Sequence, residues 1–510
     1  MLVNIRDTGA VGDGVTRDTE AIQRAVDMCA DAGGGRVFVP AGEYLTGRIV
    51  LRSNITLEFG EGGTFLAATD MDADYPYLPD GPEDQSIYAR FRREGIDMGD
   101  TRQHKVAVLY ACGARNVTIT GHGGINGNYL NILERHPAPD KPRWASYKRA
   151  FTETYGRVGT GLFKRPVLVF FQNCENVHIQ DVRLFDAPFY TVQCRSCRGV
   201  FIHDVTVDND LRADNSDGFH FSSCCDVHIR DCRLRCGDDC IAVDGNDSRD
   251  SSHVTISGCT FQSAVSSVRL FTCLALNRDK RNAVRGTAVR DVVISNCTVI
   301  DATTLLSLHA DEGTVERVSV SNVSGELSAI GTVFIITSHS AKVRDIRLSG
   351  LRFRANGVGY IYSHTDDGID GVSISDASFD VAPRTKLYGG GVDMPTFEEL
   401  GIPQYGPMPV YFFDHYMPYF LEIKRAGNVL LRDVAVRWSE GDLSEMPELI
   451  ARHKEFWYGG KLQPWSVGYD WPAIWISESH DVRGENLRVT GYGDAEAVRV
   501  ENSTGVNLDV

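Results

Sequence analysis

The sequence predicts an all-β fold, a right-handed single-stranded parallel β-helix, and three observations carry that prediction. A short motif of the form x-Asn/Asp-Val-x-Ile-x-x recurs at spacings in the twenties. Each copy alternates apolar and polar residues with period two, and no helical pattern lies between copies. One buried face per short strand, with one strand unit per repeat, is what a solenoid coil requires. A β-sandwich would also show many short strands, but with hairpin turns of the Asn-Gly type and without a motif at near-constant spacing.

The copies read Arg115-Asn116-Val117-Thr118-Ile119, Glu175-Asn176-Val177-His178-Ile179, Arg198-Gly199-Val200-Phe201-Ile202, Cys225-Asp226-Val227-His228-Ile229 and Ser252-His253-Val254-Thr255-Ile256. Val177, Val200, Val227 and Val254 are 23, 27 and 27 residues apart, and later copies begin near Asp291, Arg317, Asp345, Gly371 and Asn428. Stacked coils would bury these valines and isoleucines as a continuous ladder.

A solenoid needs a capped end, because an open coil exposes apolar core and strand edges. Residues 1–45 read as that cap. Thr16 or Asp18 is the expected N-cap of a helix whose Ile22, Ala25, Val26 and Cys29 share one face. Gly33-Gly34-Gly35 ends the helix, Arg36-Val37-Phe38-Val39-Pro40 is the first strand, and Gly42-Glu43-Tyr44 is its turn. The whole chain, 1–510, reads as one β-helix domain. The repeat breaks near 66–106 and 127–165, and again in two loop insertions at 385–417 and 439–471 that are rich in Tyr, Trp and Gly. Long insertions in a solenoid project from one face and wall a cleft.

The formal net charge of −16 repels nucleic acid and anionic membrane surfaces, so neither is an expected partner. No stretch approaches the ~20 apolar residues of a membrane helix. Met1-Leu2-Val3-Asn4-Ile5-Arg6-Asp7 lacks the basic-then-apolar layout of a signal peptide, so a cytoplasmic location is expected unless a leader has been removed. The sequence assigns no oligomeric state. Of the 13 cysteines, most recur beside the short strands, as expected of buried thiols filling a turn stack. Cys194/Cys197 and Cys236/Cys240 have metal-like spacing, but their place in the repeat favours structure over zinc.

Two segments carry the chemistry. Asn215-Ser216-Asp217-Gly218 precedes the strand Phe219-His220-Phe221, and Gly237-Asp238-Asp239-Cys240 precedes Ile241-Ala242-Val243. Asp217 and Asp238 are 21 residues apart, about one coil, so they fall on neighbouring strands roughly 4.8 Å apart. Three carboxylates are thus expected at one patch of the outer surface. Clustered carboxylates repel, so one keeps its proton while another stays ionised, and glycosidic cleavage asks for that split. Either motif alone would be an ordinary Asx turn. The chemistry needs no cofactor and no metal, although the same carboxylates would suit calcium.

These segments resemble glycoside hydrolase family 28, the polygalacturonase-like enzymes with the pectin lyase-like solenoid. The resemblance covers about residues 5–325. It includes Gly9-Ala10-Val11-Gly12-Asp13-Gly14, the run Ile119-Thr120-Gly121-His122-Gly123-Gly124-Ile125-Asn126-Gly127, Arg165-Pro166 and Ala187-Pro188-Phe189-Tyr190. The family's Asn-Thr-Asp stands here as Asn215-Ser216-Asp217 and its Gly-Asp-Asp as Gly237-Asp238-Asp239. The resemblance implies an inverting hydrolase with Asp238 as general acid and Asp217 and Asp239 as bases. Two elements depart from the pattern: Ser263-Ala264-Val265 stands where the family has Gly-His-Gly, and Ser307-Leu308-His309 where it has Arg-x-Lys. These departures bear on galacturonate recognition more than on hydrolysis.

Candidate substrate contacts are Asn215, His220, Tyr190, Arg269 and His309, with His220 expected to face outward beside Asp217. Phe271, Trp144, Tyr388, Tyr405, Trp457, Trp465 and Trp471 are further sugar-stacking candidates, and Arg278-Asp279-Lys280-Arg281 reads as a solvated basic loop. The expected function is inverting hydrolysis of a poly- or oligosaccharide, pectin-related or another glycan, with the insertions closing one end of the groove for exo-cleavage. The alternatives are a β-helix polysaccharide lyase or epimerase, using Arg269 and His309 with calcium on the aspartates, and a non-catalytic glycan-binding solenoid.

Overall fold

The computed structural model describes residues 1–76, 106–135, 165–211, 213, 215–245, 249–272, 287–310, 313–337, 340–355, 359–381, 420–438, 472–491 and 497–510. They fall in two compact units, the described residues up to Ala264 and those from Val265 to Val510. The two late insertions, the basic loop at 278–281 and the aromatic candidates Trp144, Tyr388, Tyr405, Trp457, Trp465 and Trp471 lie outside the described residues.

In the first unit each coil contributes three short strands, and the coils stack as parallel ladders. One coil holds Val192–Arg195, Arg198–His203 and Thr206–Asp208, and the next holds Phe219–Ser222, Cys225–Arg230 and Arg233–Cys236. Val177, Val200, Val227 and Val254 pair in register, as do Leu184, Val207, Leu234 and Phe261. All eight side chains are buried, and each Val, Leu or Phe removed from water contributes about 1.5–3 kcal/mol before chain entropy is set against it. The coils have the right-handed sense expected of parallel crossovers.

The Asn/Asp of the motif has a backbone cause. It stands at a corner in the left-handed region, with φ of 57° at Asn116, 56° at Asn176 and 57° at Asp226, and a glycine takes the same rung at Gly199. Asn and Asp tolerate this conformation better than other residues with a side chain. The corner amides also stack: Nδ2 of Asn176 donates to Oδ1 of Asn116, and Nδ2 of Asn116 to Oδ1 of Asn54, both at 2.8 Å.

A second corner carries thiols. Cys174, Cys197 and Cys224 lie under successive coils, with their sulfurs 3.3–3.6 Å from backbone carbonyls such as Ala111, Phe171 and Cys194. Ser251 takes the next rung, its Oγ donating to the Asp244 carbonyl at 2.7 Å. Burial and a neighbouring thiol hold Cys174 and Cys194 well above the usual thiol range, with the thiol contact the larger cause. Among the described residues twelve cysteines are free and ten of those are buried.

The N-terminal helix is Thr19–Asp31, with Ala21, Ile22, Ala25, Val26 and Cys29 buried against the strands Leu2–Asn4 and Gly35–Val39. One expectation holds in part and one is corrected here. Asp18 stands at the N-cap, its carbonyl accepting the Ile22 N–H at 2.9 Å, but its side chain makes no capping bond. Its carboxylate accepts the backbone N–H groups of Val11 and Gly12 at 2.7 and 3.0 Å, tying down the preceding loop instead. Gly42-Glu43-Tyr44 is not a turn but opens a strand, Gly42–Thr46, which pairs with Gly63–Ala67.

The second unit repeats the architecture with longer strands. Val292, Val318, Ile346, Val372, Val429 and Val482 pair in one parallel ladder, so the later motif copies fall where their spacing put them. Strands such as Thr314–Thr337 and Lys342–Ala355 run through their corners, where Asn322 and Gly350 take φ of 53° and 63°. Among the described residues no helix is long and apolar enough to cross a membrane.

Candidate active site

The two aspartate segments lie at neighbouring corners of the first unit, and every residue of Asn215-Ser216-Asp217-Gly218 has a task there. Asn215 sits at φ 55° and its Nδ2 donates to Oδ2 of Asp238 at 3.4 Å. Ser216 Oγ donates to the Ala213 carbonyl and accepts the Gly237 N–H, both at 3.0 Å, which joins one coil to the next. Gly218 and Gly237 permit close stacking. A Cβ on Gly218 would lie 2.4 Å from the Cys240 carbonyl oxygen, and one on Gly237 2.2 Å from that of Ala213.

Register then fixes which carboxylates are neighbours. Phe219 pairs with Ile241, and the Gly218 N–H donates to the Asp239 carbonyl at 2.9 Å. Carried two places back, that register sets Asp217 beside Asp239, with Asp238 beside Ser216. The acid side chains are less open than an outer-surface patch implies: Asp217 and Asp239 are 2% and 1% exposed, and Asp238 keeps 9%. Corner residues on a solenoid are enclosed by the coils above and below, which spacing alone does not register.

His220 occupies an outward position of Phe219–Ser222, but it does not face solvent. Its Nδ1 is 3.1 Å from Oδ2 of Asp217 and its Nε2 is 2.7 Å from Oδ2 of Asp244, and the residue is 4% exposed. With a carboxylate oxygen facing each nitrogen, the protonated ring can donate from both. Burial alone would favour the neutral ring, but Asp244 and Asp217 outweigh it and push the imidazole up to about 9. The sequence offers His220 as a substrate contact or as a partner of the acidic residues, and the contacts it makes are of the second kind, with protein carboxylates on both sides.

Tyr190 is half-buried and belongs to a stack of rings, 4.1 Å from Phe189 and 4.3 Å from His220 at interplanar angles of 19° and 28°. Its ring faces meet protein rings, so it offers a sugar its edge and hydroxyl rather than an open platform. Arg165 lies 4.7 Å over Phe189, donates to the Pro188 carbonyl at 3.2 Å, and donates through Nη2 to Oδ1 of Asn215 at 3.0 Å. A chain of contacts thus runs from Arg165 through Asn215 to Asp238. Ser263, at the place of the missing Gly-His-Gly, donates to the Asp238 carbonyl at 2.8 Å.

Sequence reasoning named neither Asp244 nor Arg165 as a site residue. For Asp244 the signal was present: in Ile241-Ala242-Val243-Asp244 the alternation points Ala242 and Asp244 outward, beside His220 and Ser222. Arg165 is far in sequence from both aspartate segments, and only the fold brings it to them.

Arg269 and His309 lie in the second unit on paired strands, Ser266–Thr272 and Thr298–Ala310. Arg269 is in register with Ser307 and Phe271 with His309. The Arg269 guanidinium lies 5.2 Å over the Phe271 ring, whose centroid is 5.1 Å from that of His309. A cation therefore stands one strand away from the position where the Arg-x-Lys pair is missing. Among the described residues no group of His, Cys, Asp and Glu is arranged to hold a metal ion.

The model of the glycosyl hydrolases family 28 matches residues 29–338. The chain is 28% identical to a protein named "Probable polygalacturonase" from Vitis vinifera, over 46% of this chain and 43% of that one. It is 27% identical to the exo-poly-alpha-D-galacturonosidase of Dickeya chrysanthemi, over 47% and 41%. It thus spans less than half the length of these two relatives. Among solved structures, the family 28 exopolygalacturonase of Yersinia enterocolitica superposes with a TM-score of 0.55 at 17% identity, covering 87% of this chain and 77% of that one, which speaks for the fold.

Proposed function

The chain belongs to the glycosyl hydrolases family 28, and from that premise we propose that it hydrolyses glycosidic bonds of a pectin-type, galacturonate-containing glycan with inversion, releasing units from a chain end. The observation that carries the reading is the grouping of Asp217, Asp238 and Asp239 at neighbouring corners within the matched region. Asp238 is the general acid: it is the most accessible of the three, and Asn215 holds one of its oxygens. Asp217 and Asp239 are the carboxylates that activate water. Inversion needs room for that water, with acid and base ~6.5–9.5 Å apart.

Within the second unit, Arg269 stands in register with Ser307, where the family's cationic pair is missing, and is the candidate cation for an acidic sugar, with His309 on the same pair of strands. The exo mode draws support from the exo-acting relative, and a cytoplasmic setting would suit short imported oligomers. Asp238→Asn tests the reading on a panel of defined oligogalacturonides, with proton NMR of the nascent anomer. Loss of the acid should lower the rate ~10²–10⁴-fold, and near wild-type turnover would remove Asp238 from the mechanism.

A further inference from the structure

We propose that His220 and Asp244 are a positioning pair that decides which of two stacked aspartates serves as base: the imidazolium keeps Asp217 ionised and fixes one of its oxygens. The inference rests on the hydrolytic reading of Asp217 given above.

Asp217 and Asp239 each lie two residues before paired strands, Phe219–Ser222 and Ile241–Asp244, whose register carried back sets them side by side on coils roughly 4.8 Å apart, and two carboxylates that close disfavour each other's ionisation. Nothing in Asp217 or Asp239 taken alone says which keeps its charge. His220 breaks the tie, since its Nδ1 lies 3.1 Å from Asp217 and its other nitrogen 2.7 Å from Asp244. Asp244 holds the ring charged, and the charged ring holds Asp217 charged. The division of labour follows: Asp217 takes the proton of the attacking water.

The geometry leaves His220 no other role. A ring donating from both nitrogens has no lone pair with which to act as a base, and at 4% exposure it does not reach a sugar. Tyr190, stacked 4.3 Å away, prevents it from swinging out. Among the described residues, the charged and titratable groups of the surrounding coils include Asp217 on its own, Asp238, Asp239, Cys240 and Asp244 on the next, and Tyr190, Cys194 and Arg195 on the preceding one, where Arg195 pairs in register with Ser222; Asp244 and Asp217 are the two that contact the ring.

The test joins a substrate-free measurement to a kinetic one. In protein labelled with nitrogen-15 at histidine, NMR should find His220 doubly protonated at pH 7 and losing its proton near 9. In Asp244→Asn that step should move down by at least one pH unit, and a neutral His220 at pH 7 in the wild type would overturn the proposal. On trigalacturonate, His220→Gln should lower kcat about 10–100-fold, as expected when a base loses its tuning, and move the acidic limb of the pH–rate profile upward. Asp244→Asn should bring the alkaline limb down toward neutrality. A uniform fall in kcat with both limbs unmoved would show a packing role only.

Stability gives an independent readout. The native ring binds its proton more tightly than the unfolded one, so this contribution is complete below about 6.5 and disappears as pH rises through about 9. Urea midpoints of wild type and His220→Gln should converge over that window. Asp217→Asn separates the two levels of the argument. If it turns over normally, the hydrolytic role of Asp217 is wrong. If it is inactive while the His220→Gln profile is unmoved, the pairing alone is wrong.

Discussion

Two corners of the same coils show how a repeating fold makes room for chemistry. At the thiol corner Cys174, Cys197, Cys224 and Ser251 repeat one arrangement, a small side chain bonded to a carbonyl of the coil. At the acidic corner successive coils differ. Asn215-Ser216-Asp217-Gly218 is followed by Gly237-Asp238-Asp239-Cys240, and each side chain bonds to a different partner. Repetition marks positions that serve stacking, and departure from it marks the positions that the proposed chemistry uses.

That contrast can be broken or sharpened by substitution at each corner. The largest effect belongs to the acidic corner, where Asp238→Asn should lower turnover ~10²–10⁴-fold while leaving the thermal midpoint within a few degrees of wild type. A matching loss of stability would mean that the corner is structural after all. Gly237→Ala comes next: a methyl 2.2 Å from a backbone oxygen forces the coils apart, at about 1–3 kcal/mol or more by urea unfolding. An unchanged midpoint there would show that the two coils are less tightly stacked than described.

Smaller effects test the repeating corners. Asn176→Ala places a residue unsuited to φ 56° in the amide ladder and should cost about 1–2 kcal/mol, whereas Asn176→Gly should cost less, because Gly199 already serves at the next rung. The smallest is Cys224→Ser. A hydroxyl can donate to the Cys194 carbonyl as the thiol does, and Ser251 shows that a hydroxyl fits the stack. The change should be less than about 1 kcal/mol in chemical denaturation. A much larger loss would assign the sulfur a role beyond filling the corner.

The coil architecture was legible in the sequence because a period-two strand with a left-handed corner leaves a mark on every copy, as at Asn176, Asp226 and Asp345. Asp217, Asp238 and Asp239 were legible because their spacing equals one coil. The functions of His220 and Tyr190 were not, since alternation says that a side chain points outward and not what covers it. Asp244 and Tyr190 enclose His220, and only the assembled corner reveals them. Asp18 shows the same limit: it stands at the helix N-cap as its place suggested, but the loop at Val11 and Gly12 takes the carboxylate oxygens that would have capped the helix.

Since Asp217 and Asp239 belong to successive turns of one screw, their separation is set by its pitch and not by any loop of their own. Lengthening the linker between the two corners by a single residue would keep every side chain of the two segments and yet shift the register that sets Asp217 beside Asp239, on which the proposed proton transfer depends. Evolution can therefore lengthen this molecule freely by whole turns away from that pair, but hardly at all by fractions of one within it.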